Sequence, residues 1–123
     1  MKFLIRLKFQ SDPNFHKRYT MKPFANMHGH SDVHPYEVVR VISPKMIEVR
    51  KMAAHRDPAF KPEFVSGGFS AHCTNQDKQT WIITQDKTYP IIKVRLRKNG
   101  QWWSCYGRHV LADEPRKFYD FNF

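Results

Sequence analysis

Alternation of apolar and charged residues limits the folds open to this chain. Ile92, Val94 and Leu96 interleave with Ile91, Lys93, Arg95 and Arg97. Residues two apart share one face of a strand, so this stretch predicts a half-buried strand with a basic outer side. Asn99-Gly100 follows and supplies the positive φ angles of a tight hairpin turn, after which Gln101 to Tyr106 returns. Phe3, Ile5, Leu7 and Phe9 oppose Lys2, Arg6 and Lys8 in the same way. Tyr36 to Ile42 and Met46 to Met52 are β-branched runs on either side of Ser43-Pro44-Lys45, whose proline presets a turn. No stretch of ordinary helix length carries a 3.6-residue period. The expected class is mainly β: a small antiparallel sheet, barrel-like or sandwich domain, with long loops and few or no helices.

A chain of 123 residues suits one domain. Within it the pattern predicts an N-terminal strand over 1–9, an extended connection over 10–35 and a β-rich core over 36–123. The connection is read from Pro13, Pro23 and Pro35 with scattered Asn, Gly and His. Residues 53–80, with Pro58, Pro62 and Gly67-Gly68, predict a long loop or excursion. The ending from Pro115 to Phe123 is too rich in aromatics to float, so it is expected to add a last strand or pack on an edge.

Twenty-one Lys and Arg against eleven Asp and Glu give a net charge of +10, which attracts phosphate, nucleic acid or an acidic protein surface. Cys73 and Cys105 are too few for a disulfide scaffold. Lys2, Arg6 and Lys8 interrupt the apolar opening, and no small-residue cleavage site follows it. A reducing, cytoplasmic setting is therefore expected, with no membrane span.

Lys93, Arg95 and Arg97 share one strand face, and Lys98 extends them into the turn. A planar guanidinium makes paired bonds to phosphate, and Arg108 and Arg116 are placed to join from neighbouring segments. Aromatic residues interleave with these cations, among them Trp81, Tyr89, Trp102, Trp103, Tyr106, Phe118, Tyr119 and Phe121. A ring beside an arginine suits a nucleobase, although most such rings in a small β domain belong to its core. Trp102 and Trp103 point to opposite faces of a regular strand, so one is core and the other exposed or at an interface. In an extended chain His28, His30, Asp32 and His34 would face one side as metal ligands. A chance cluster or an anion-binding loop is the competing reading, and no bound metal or other cofactor is expected. No GxSxG, P-loop or dinucleotide fingerprint is present. A triad drawn from distant residues such as Ser70, His72 and Asp77 would leave no local trace.

Ser31-Asp32-Val33-His34-Pro35-Tyr36, Val38 to Lys45, Gly67-Gly68-Phe69, Arg95-Leu96-Arg97-Lys98-Asn99-Gly100-Gln101-Trp102 and Arg116 to Phe123 resemble blocks of small phage proteins. These are similar to the Thoeris anti-defence sponges, over about residues 30–123. The resemblance implies a non-enzymatic, β-rich homo-oligomer that sequesters a cyclic nucleotide signal, a cyclic ADP-ribose isomer, in the cytoplasm of an infected bacterium. It further implies Arg116 for the phosphate, Asn99 for a ribose or base edge and Tyr89 for stacking, with Phe69 as an alternative ring and Arg95 and Arg97 nearby. A second site for cyclic oligonucleotides would use His30 or His34, since Val33 stands where an arginine is expected. The alternatives are a basic β domain that binds single-stranded nucleic acid, or a metal-dependent phosphodiesterase built on the histidine cluster.

Overall fold

The computed structural model describes residues 21–67 and 70–122. The strand expected over 1–9 and the candidate Phe69 lie outside them. Eleven strands are found among the described residues: β1 Phe24–His28, β2 Val33–His34, β3 Tyr36–Ser43, β4 Met46–Lys51, β5 Ala53–Arg56, β6 Phe64–Gly67, β7 Ser70–Cys73, β8 Trp81–Thr84, β9 Ile91–Leu96, β10 Trp102–Trp103 and β11 Arg108–Ala112. The described helix is a single 3-10 turn, Gln76–Lys78. The molecule is mainly β, as the alternation predicts.

Strands β11, β10, β9, β4, β3 and β1 lie side by side, and β1 also pairs with β11, closing the sheet into a six-stranded antiparallel barrel. Closure removes the exposed edges that a small open sheet would leave. The inward face predicted for β9 is turned to the core: Val94 is buried with Val38, Ile47, Val49, Trp102, Ala25 and Tyr36, and Ile92 and Leu96 pack against them together with Met27, Val41 and Leu111. Register shifts between Val38 and Arg40, and between Val41 and Ser43, bend β3 against β4. Trp102 is buried while Trp103 is only half-buried, as their opposite facing requires.

The connection expected over 10–35 contains β1, which is a full member of the barrel, and the two-residue β2. Alternation in β1 is hidden because both of its faces are covered. Ala25 faces the barrel interior, whereas Phe24 joins Met52, Trp81 and Ile83 in a second core. That second core lies between the outside of the barrel and a two-stranded ribbon, β5 with β8. The excursion expected over 53–80 thus contains β5, the β6–β7 hairpin and the 3-10 turn, and it supplies the second layer. Between the layers, Arg50 donates to the buried Glu37 carboxylate at 2.8 Å, and the Gln85 amide donates to the same oxygen at 3.1 Å.

The C-terminal segment packs along the molecule, and side chains take the place of a neighbouring strand. Val33 and Phe118 exchange both backbone bonds at 3.0 Å. Asn26 accepts from the Arg116 amide and donates to the Glu114 carbonyl. Buried Gln79 accepts from the Tyr119 amide and the Trp81 indole and donates to the Tyr119 carbonyl. Asp32 and Gln76 accept from the amides of Asp120 and Phe121. Asn122 closes the run with bonds to both backbone groups of Cys73.

Candidate functional site

At one end of the barrel the inward alternation runs out into polar residues. Tyr36 and Lys51 are register partners on β3 and β4 and continue the lining faces of Val38 and Val49 to the rim. His34 pairs with Met27 where β2 folds back on β1. Tyr89 and Pro90 precede β9, and Tyr106 stands in the turn between β10 and β11. These residues, with Ile92, line a cavity of about 340 Å³, within the range of small-ligand sites.

The mouth is aromatic and cationic. The Lys51 ammonium lies 5.5 Å from the Tyr89 ring centroid. The Lys117 ammonium stands 3.0 Å from His34 Nδ1 and 5.5 Å from the Trp81 ring centroid. An ammonium only donates, so this contact requires His34 Nδ1 to be unprotonated. Burial first, then the charges of Lys117 and Lys51, hold the His34 pKa below its usual value, with Asp32 opposing. Burial likewise lowers the Lys117 pKa, and Lys51 adds to the shift while Asp32 opposes it. Burial raises the Tyr36 phenol, and Tyr106, Cys105 and Tyr89 push it further.

Beneath the mouth, His109 is buried and meets Tyr36 edge to face, with ring centroids 5.0 Å apart. Its Nδ1 is 2.9 Å from the Ala25 carbonyl, which can only accept, so Nδ1 carries the proton. Nε2 then accepts from the Ser104 hydroxyl at 2.8 Å. Burial lowers the His109 pKa. The pair anchors the β10–β11 turn that carries Tyr106.

Of the sequence-derived candidates among the described residues, the mouth brings together Tyr89, His34 and the interleaved ring of Tyr106. The other site residues that the structure describes lie elsewhere. Arg95 and Arg97 are on the outer side of the barrel, and Asn99 sits in the exposed β9–β10 turn, where it bonds the Gln101 amide and side chain. His30 is exposed in the turn between β1 and β2. Arg116 lines a separate cavity of about 460 Å³, whose other lining residues include Asp113 and Glu114, carboxylates that repel an anion. The guanidinium groups expected around a ring-binding hollow are therefore outside it; the cation that lines it is Lys51, with Lys117 behind His34. Lys51 was legible as the next member of the inward series Ile47, Val49. Lys117 carried no such signal, because its place depends on how the tail folds back.

The histidine cluster does not act as one extended strand. The Gly29 amide donates to the Asp32 carbonyl at 2.8 Å, reversing the chain between β1 and β2. His28 therefore faces Arg108 and Arg116, whose charges lower its pKa after burial has done so, while His34 faces Lys117. Among the described residues no group of three or more His, Cys, Asp or Glu is arranged to hold a metal ion. No described helix is long and apolar enough to cross a membrane.

Fold and mouth together define a small antiparallel β-barrel with a ring-lined, cation-bearing cavity at one end. No protein-family model, curated protein or solved structure matches the chain.

Proposed function

We propose that the protein binds a small phosphorylated ring compound, a cyclic nucleotide of the cyclic ADP-ribose type, in the barrel mouth and sequesters it without turnover. The observation that carries this reading is the meeting of Tyr36, Tyr89 and Tyr106 with Lys51 in one cavity, beside the Lys117–His34 pair. Phenol rings offer flat surface to a base, and the ammonium groups offer charge to a pyrophosphate. Among the described residues no carboxylate lines the cavity, and His34 Nδ1 is already engaged by Lys117. Both features favour holding an anion over activating water against it. The resemblance to anti-Thoeris sponges points to the same behaviour and to a role in blocking host defence.

Self-association belongs to the same proposal. Phe64 and Val65 on β6 are about half exposed and offer apolar side chains to a second copy. Calorimetry with cyclic ADP-ribose isomers tests the reading. The expected result is binding at the micromolar level or tighter, with the ligand recovered chemically intact after heat release. Absence of both heat and a thermal shift, or recovery of a cleaved product, would overturn it.

A further inference from the structure

The outward side of the barrel, opposite in facing to the mouth lining, carries a continuous row that the register fixes. Trp103 on β10 is the partner of Arg95 on β9 and of Arg108 on β11, and Arg108 is the partner of His28 on β1. Partners across an antiparallel ladder share a face, so Arg95, Trp103, Arg108 and His28 lie side by side across four strands. Three inter-strand spacings make this row about 14 Å long. Arg97 joins it from above, its guanidinium carbon 4.3 Å from the Trp103 ring centroid.

We infer that this row is a second binding site, for single-stranded nucleic acid. None of Arg95, Arg97 and Arg108 has a carboxylate partner among the described residues, where the ion pairs are Lys22–Asp113, Arg40–Glu48 and Arg50–Glu37. Three unneutralised guanidinium groups on one face repel each other, and a chain of phosphates relieves that repulsion. The indole supplies what a bare basic patch lacks. A base that replaces Arg97 on the ring exchanges an exposed cation–π contact for the stronger stacking of a base, and it frees that guanidinium for the next phosphate. Single strands have bases free to do this, whereas paired bases in a duplex do not.

The test is fluorescence anisotropy of the full chain with a labelled oligothymidylate of about 15 nucleotides, a length one small barrel can cover. A duplex of the same length is the comparison. Three phosphate contacts predict a slope of log affinity on log salt of about −2 for the single strand. Trp103→Ala is expected to weaken binding about tenfold with the slope unchanged, and Trp103→Phe to restore most of the loss. Arg97→Ala and Arg108→Ala should each flatten the slope by about 0.7. If Trp103→Ala does not fold, these two slopes decide the matter. Duplex binding as tight as single-strand binding, an unaltered affinity in folded Trp103→Ala, or slopes unmoved by the arginine variants would each overturn the inference.

Discussion

Glu37 is 2% exposed, and its carboxyl is reached by Arg50 from β4 and by Gln85 from the segment after β8. Removing one member of a buried ion pair leaves the other without compensation, a loss of about 3–5 kcal/mol. Glu37→Ala is therefore expected to lower the urea-unfolding free energy by that amount, and a loss under 1 kcal/mol would show that the pair is not enclosed. The histidines set a pH dependence. His28, His34 and His109 all have folded-state pKa values below their ordinary one. The unfolded chain then binds more protons as pH falls through about 6.5, the ordinary histidine value, so stability is retained above that point and lost below it. Urea midpoints at pH 7.5 and pH 5 should differ in that sense; equal midpoints would contradict the buried, neutral assignments. At this scale Tyr89 and Lys51 were legible in the sequence, one as an aromatic beside a basic strand and the other as the end of an inward series. The partnership of Lys117 with His34 was not, because it joins residues 83 apart in sequence.

The β9–β10 hairpin is the element most fully written in local sequence. Gly100 has φ +82°, in the left-handed region where a Cβ costs about 1–2 kcal/mol. The same position has open space around a built Cβ, so the backbone alone sets the cost. Gly100→Ala should lower stability by about 1–2 kcal/mol, read from urea unfolding, and no change would mean that the turn relaxes to another type. The tail is the opposite case, since its order comes from Asn26, Asp32, Gln76, Gln79 and Asn122 standing in for strand backbone. Gln79→Ala leaves the buried Trp81 indole N–H without its acceptor and cuts both bonds to Tyr119, an expected loss of about 1–3 kcal/mol. Faster proteolysis near residues 117–122 should accompany it; a tail as resistant as that of the parent chain would assign its order to packing of Phe118 and Phe121 instead. Strand β1 was missed for a related reason. Asn26 and His28 occupy its outer face because the tail and Arg108 cover them, so polar residues stand where alternation would otherwise mark a strand.

Across the whole molecule, alternation was enough to predict a mainly β chain, the β3–β4 and β9–β10 hairpins and the inward face of β9. Closure by β1 against β11 depends on contacts far apart in sequence, and so does the second layer of β5 and β8. Two places concentrate part of the charge of +10: the mouth, which Lys51 lines, and the outer row of arginines. The mouth sets Lys51 among three tyrosines in one cavity, and the central claim is that this cavity is where a small phosphorylated ring is held. Calorimetric titration of the parent chain and of Lys51→Ala and Tyr106→Ala variants with a cyclic ADP-ribose isomer tests that claim most directly. Both residues stand at the rim, one half-buried and one exposed, so both variants should fold. The expected result is a loss of affinity of about tenfold or more in each, the size of one charged contact or one stacked ring. Unchanged affinity in both variants would place the ligand elsewhere and contradict the account.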